Sequence, residues 1–212
     1  MSVYFLEKWG GKLLFGIFRI NKKGEDMIYN FGRRRRSIRL RGYNYTQGGA
    51  YFVTICTKNK ECLFGEVMDG EMRLNRFGRI VWEEWFNTME VRPYVRLFSS
   101  EFVIMPNHLH GIIWIVDDGD KRRTVYTDVK EVNAKVLCAG SLGAIIRGFK
   151  SSVTRRINKI RNTPGGVVWQ RNYYEHIIRD EEDLKRIREY IMSNPFIWTI
   201  KRKQGIVDDF TR

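Results

Sequence analysis

The chain has 212 residues, 43% of them hydrophobic and 14% aromatic, enough for one packed domain with tails and too few for two comfortable ones. Its 38 Lys and Arg against 24 Asp and Glu leave a formal charge of +14, which points to a polyanionic partner. No apolar run approaches the roughly 20 residues of a membrane span, and Cys56, Cys62 and Cys138 form no CxxC pair, which excludes a disulfide framework and a cysteine zinc site.

The three cysteines are read as small buried apolar residues. The opening stretch MSVYFLEKWGGKLLFGIFRI places Glu7 and Lys8 ahead of a short apolar patch and has no small-residue cleavage pattern, so no secretory signal and a cytoplasmic location are expected. Residues 1–37 end in FGRRRRS, where Arg33, Arg34, Arg35 and Arg36 repel one another and show no apolar period. They read as a basic arm, either gripping phosphates or simply solvated.

From GGAYFVTICTKN the pattern becomes β-branched and aromatic, which predicts a central strand. CLFGEVMDGEMRLN is a hairpin turning at Asp69-Gly70. NRFGRIVWEEWFNTM spaces Phe77, Ile80, Val81, Trp85 and Phe86 at helical intervals behind Asn75 as cap. VRLFSSEFVIMP and NHLHGIIWIV read as adjacent strands joined at Pro106-Asn107, and the charged stretch 117–140 as a connection without period.

SLGAIIRGFKSSVTRRINKIRN predicts a second helix with Leu142, Ile145, Ile146, Phe149, Val153, Ile157 and Ile160 on one side. Arg147, Lys150, Arg155, Lys159 and Arg161 take the other side, and residues 141–174 hold no acidic side chain, as a backbone-tracking DNA surface requires. VVWQRNYYEHIIRD supplies a last strand, and DEEDLKRIREYIMSNP a third helix with Asp180 as cap and Pro195 just past its end. This order predicts an α+β fold, a ferredoxin-like sandwich with a mainly antiparallel sheet and helices packed on it.

His108 and His110 are the candidate chemistry. Residues i and i+2 of a strand share a face, so the two imidazoles project together, as a metal pair or as two partly exposed structural histidines. Tyr190 and Asn194 are four apart, on one margin of the last helix beside the inward stripe of Leu184, Ile187 and Ile191. They can serve the site, or be a packing tyrosine and an asparagine that closes the helix.

MPNHLHGIIWI together with VWQRNYYEHIIRDEEDLKRIREYIMSNP resembles the REP-associated tyrosine transposases, a branch of the single-tyrosine HUH transposases in the insertion-sequence-two-hundred-like group. RRRRSIRLRGYNYTQGGAYFVTICTKNKECLFGE and SLGAIIRGFKSSVTRRIN are similar to further parts of that family, so the resemblance spans about residues 33 to 198. It implies a transposase domain over 38–198, followed by a tail over 199–212. It also implies that His108 and His110 hold a divalent cation, Mg²⁺ or Mn²⁺, and that Tyr190 attacks a DNA phosphate. Asn194 stands where insertion-sequence relatives place a glutamine as third ligand, and its shorter side chain makes ligation less secure.

The implied activity nicks and rejoins single-stranded or hairpin DNA through a 5′-phosphotyrosine, without a nucleotide cofactor and without a membrane partner. Arg33, Arg34, Arg35, Arg36, Arg147, Lys150, Arg155 and Lys159 are the expected DNA contacts, and monomer and homodimer both fit. The rival readings are a hairpin-binding protein that no longer cuts, and a metal-dependent phosphohydrolase with water as nucleophile. Residues 1–26 lack a counterpart in the family pattern, and Met27 looks like the usual start, so the leading residues are expected to be dispensable.

Overall fold

The computed structural model describes residues 6–9, 12–15, 43–116 and 140–203. Within the segment read as a basic arm, β1 (Leu6–Trp9) pairs antiparallel with β2 (Lys12–Phe15), a hairpin the sequence pattern did not announce. The four-arginine run, Cys138 and the connection 117–139 lie outside the described residues.

From residue 43 the elements run β3 (Gly49–Cys56), β4 (Gly65–Met68), β5 (Glu71–Leu74), α1 (Arg76–Val91), β6 (Val95–Arg96), β7 (Phe102–Met105), β8 (His108–Ile115), α2 (Leu142–Arg161), β9 (Tyr174–Ile178) and α3 (Glu181–Lys203). The main sheet runs β6-β8-β3-β9, with β7 also on β8, and each pairing is antiparallel. With β6 and β7 as one broken strand, this is the βαββαβ order of a ferredoxin-like sheet. The predicted α+β architecture is the observed one.

The expected local signals hold the elements. The β4–β5 turn puts Asp69 and Gly70 at φ 53° and 80°, the paired positive values of a tight hairpin turn. Asn75 Oδ1 accepts the backbone N–H groups of Phe77 and Gly78 at 2.8 and 3.0 Å, and Ser141 caps α2 through Ala144 N–H at 3.3 Å. Asp180 Oδ1 accepts from Asp183 N–H at 2.8 Å, so α3 starts where its acidic first turn predicts.

Both faces of the sheet are covered. Tyr51, Val53, Ile55, Leu109, Ile113 and Ile115 face α1 and α2, whereas Ala50, Phe52 and Ile112 face Leu184, Ile187 and Ile191 of α3. Gly111 lets Trp85 lie flat on β8: a Cβ there would stand 2.5 Å from the indole and 3.0 Å from Phe102.

Four expectations are corrected. VRLFSSEFVIMP is not one strand, because a single helical turn at Ser99–Glu101 interrupts it. The turn carries Glu101, 1% exposed: Oε2 accepts the Trp114 indole N–H at 2.6 Å, and Oε1 accepts from Arg188 Nε at 2.9 Å. Cys62 is exposed and Cys56 half-buried, so neither is a buried apolar filler. Ile160, near the end of α2, has run past the core and is 38% exposed.

The fourth correction concerns Pro195, which lies inside α3 rather than past its end. A proline in a helix interior costs roughly 3 kcal/mol through its missing N–H and ring clash. Continuing the helix buries Trp198 against the sheet and lets Thr199 Oγ1 donate to the Pro195 carbonyl at 3.2 Å. Burial of a side chain that large offsets a cost of this size.

The Glu101 clamp ties the sheet to α3 two residues before Tyr190 in the chain. Glu101→Gln replaces one carboxylate oxygen by a donor facing donors, and is expected to cost about 1–2 kcal/mol, limited because Arg188 is half-exposed. A urea midpoint lowered at unchanged slope checks this; an unchanged midpoint removes the clamp from the account.

Candidate active site

The turn that aims the first histidine is fixed by backbone bonds. Leu63 and Phe64 N–H groups both donate to the Pro106 carbonyl, at 2.8 and 3.0 Å. Thr57 gives both its N–H and its hydroxyl to the Asn107 carbonyl, each at 2.9 Å. His108 thus enters β8 in a defined register, opposite Cys56 on β3 and Met105 on β7, and His110 lies opposite Thr54 and Val103.

Strand alternation then sends both rings to the α3 face, with centroids 4.7 Å apart. Each is 1% exposed, so the alternative of two partly exposed histidines does not describe them. The Nδ1 of His108 lies 2.6 Å from Asn107 Oδ1, an acceptor, and therefore carries the hydrogen. His110 Nδ1 bonds the Thr54 hydroxyl at 2.8 Å. With both Nδ1 atoms engaged by neighbours, it is the Nε2 atoms that turn to α3.

Burial drives the electrostatics. It pushes His108 down to about 3, assisted by the charge of Lys201 and to a lesser degree Lys60, while a hydrogen bond with Asn194 acts the other way. His110 is likewise held well below the usual imidazole range by burial, by His108 and by Lys201. Both imidazoles are therefore neutral, which is the form that ligates a metal.

α3 brings the expected partners. Tyr190 Oη lies 3.4 Å from His110 Nε2, its ring edge-on to both His110 and Phe52, and Phe52 stacks on the His110 ring at 5.6 Å. Asn194, buried, donates to the Tyr190 carbonyl at 3.4 Å and acts on His108, and Trp198 one turn on packs against the His108 ring at 5.8 Å. Two neutral imidazole nitrogens and an amide on one face, with Nδ1 held on each ring, fit a divalent cation completed by substrate oxygens. Among the described residues no group of three His, Cys, Asp or Glu adds a carboxylate to them.

The other sequence candidates are dispersed. Arg147, Arg155 and Lys159 are exposed on α2, which covers the opposite face of the sheet from the histidines. Lys150 instead donates to the carbonyls of Gln170 and Asn172 at 2.9 and 3.0 Å, and burial lowers its ammonium to about 8. Arg156 and Arg161 of the same helix pair with Glu83 and Glu84 and with Glu61. His176 bonds Asp183 at 2.7 Å and stays a structural group.

No family model matches the chain. An uncharacterized protein of Haemophilus influenzae is 46% identical over 172 residues, which cover 80% of this chain and 93% of that protein. The chain belongs to that protein's family. A candidate REP-associated tyrosine transposase of the same organism is 24% identical over 152 residues, 72% of this chain and 73% of the relative. Among solved structures, a REP-associated tyrosine transposase bound to a REP hairpin matches 79% of this chain and 74% of its own, with a TM-score of 0.50 at 19% identity. At that identity the likeness is one of fold, and it is the α+β fold described above.

Thr54, Asn107, Phe52, Trp198 and Lys201 are parts of the site that the sequence did not disclose. Thr54 and Phe52 reach it through the register of β3 on β8. Trp198 and Lys201 follow Tyr190 at helical spacing, a signal masked by Pro195.

Proposed function

We propose that this protein is a transposase of the REP-associated type, which nicks and rejoins single-stranded DNA at a hairpin through Tyr190. The observation that carries the reading is the Tyr190 hydroxyl, 3.4 Å from Nε2 of a paired, neutral histidine, in a fold shared with a REP-associated tyrosine transposase. The relative in H. influenzae supports the same class.

Tyr190 attacks the phosphodiester, its Oη–P bond forming as the P–O3′ bond breaks. The phenol loses one proton and the departing 3′ oxygen gains one, so the step balances and is reversible without a nucleotide. A phenol titrates near 10, so the hydroxyl needs help to ionise. Mg²⁺ or Mn²⁺ held by His108, His110 and Asn194 would supply Lewis-acid charge at the phosphate. The rings of Phe52 and His110, each edge-on to Tyr190, orient the phenol, Phe52 fixes the His110 ring, and the buried setting keeps competing water from the phosphate. Arg147, Arg155 and Lys159, with Arg33 to Arg36, are the proposed contacts to the DNA backbone away from the cut.

The test is a denaturing gel of end-labelled hairpin DNA incubated with the full chain and Mn²⁺. Protein joined to the 5′ phosphate of the downstream fragment is expected, with a free 3′ hydroxyl on the upstream fragment. Fragments carrying no protein would point to a phosphohydrolase, and binding without fragments to a hairpin-recognition protein.

A further inference from the structure

α1 and α2 pack antiparallel on the face of the sheet turned away from Tyr190, and the seam between them holds two arginines in different states. Arg156, late in α2, pairs with Glu83 and Glu84 of α1. Arg92, which caps the end of α1, turns back over the start of α2 and rests on Gly148. A Cβ at 148 would stand 3.3 Å from Arg92 Cζ and 3.6 Å from Nη1, with Nη2 closer still, so the three atoms nearest to that point all belong to one guanidinium.

Glycine inside a helix is less stable than alanine, and no positive φ requires it at 148. The seat for Arg92 is what the missing side chain provides. That guanidinium is half-buried, and among the described residues it forms no ion pair and no hydrogen bond, although it carries five N–H donors. Glu90, the nearest acid along the chain, is exposed and forms no ion pair among them either. Positions 148, 155 and 159 fall on one stripe of α2, so Arg92 supplies at position 148 a charge in line with those of the exposed Arg155 and Lys159. The stripe extends about 16 Å along a straight helix, with Arg147 exposed beside its start.

We propose that Arg92, held on Gly148, anchors the phosphate backbone of duplex DNA along this stripe, away from the strand that Tyr190 attacks. A planar fork pre-set on a helix backbone matches two oxygens of one phosphate, and a straight row of cations suits the regular edge of a duplex. The proposal rests on the transposase reading above for the identity of the polyanion, and its residues take no part in the chemistry at Tyr190.

The test compares Arg92→Ala and Gly148→Ala with wild type in the full chain, by fluorescence anisotropy on a duplex of about 20 base pairs and arbitrary sequence over a range of NaCl concentrations. Arg92→Ala is expected to bind about 3- to 10-fold more weakly near 0.1 M salt and to lower the slope of log affinity against log salt by about 1. Gly148→Ala removes no charge but pushes the guanidinium off its seat, and is expected to weaken duplex binding in the same direction. Its urea midpoint should be unchanged or raised, because alanine favours the helix. Weaker binding by a protein at least as stable is a pair of changes that loss of packing does not give. Affinity and salt slope equal to wild type in either variant would overturn the proposal, as would a loss seen on single-stranded oligo-dT and not on the duplex. Should wild type form no covalent adduct with hairpin DNA, the transposase reading fails, and the duplex titration still decides whether Arg92 holds a phosphate.

Discussion

Tyr190→Phe is expected to abolish covalent adduct formation, by about a thousandfold or more, while hairpin binding stays within about twofold of wild type. A loss of that size corresponds to about 4 kcal/mol of transition-state stabilisation, which is reasonable for removing the nucleophile itself. The substitution keeps the ring, which stands edge-on to Phe52 at 6.0 Å and to His110 at 5.0 Å, so the packing between α3 and the sheet survives. What goes is one half-buried hydroxyl and its 3.4 Å contact to His110, worth about 1 kcal/mol or less in stability. The measurement is adduct yield on a denaturing gel beside hairpin affinity by fluorescence anisotropy. Residual adduct would hand the chemistry to another hydroxyl. Tyr174 is the rival on the same face, at 6.2 Å from Phe52, whereas Tyr173 packs on the α2 side under Lys150. Identical behaviour of the two proteins, with binding and no adduct in either, would reduce the protein to a hairpin binder.

How much of this site is written locally in the chain follows from what each part depends on. HxH on a strand and Tyr190 with Asn194 on a helix are local facts, because two- and four-residue spacings fix shared faces whatever the partner. Asn75, Ser141, Asp180 and the Asp69-Gly70 turn are equally local, each acting on backbone groups within three residues. Thr54 beside His110 is not, since it depends on the register of β8 on β3 across 56 residues. Pro195 misleads for a related reason: its penalty is visible in the sequence, but the Trp198 burial that offsets it is tertiary. Lys150 shows the same limit. Helical phase puts it on the polar side of α2, and a loop 20 residues later takes its ammonium.

Metal-free protein is expected to lose on the order of 2 kcal/mol of stability through His108 between about pH 7 and about pH 5, with His110 acting in the same direction. In the unfolded chain an imidazole titrates near 6.5, while folding holds His108 down at about 3 and His110 well below its usual range. Between those values the unfolded chain binds more protons than the folded one, so stability falls as pH falls. The contribution is fully present above about pH 7 and is lost progressively from about 6.5 toward 3. The carboxyls of Glu84 and Asp183 are also held below their usual range, Glu84 by Arg156 and Asp183 by His176, against the opposing effect of burial. Their contribution is lost further down, as pH falls through those depressed values, so it adds to the acid limb without explaining the loss near pH 6. Urea midpoints in EDTA at the two pH values measure the effect. The double variant His108→Gln, His110→Gln, with no imidazole left on β8, should be less stable at neutral pH and much flatter between the two. A wild-type midpoint that does not move would mean that the two rings are not buried as neutral groups, and with that the ligand-ready pair facing Tyr190 would lose its physical basis.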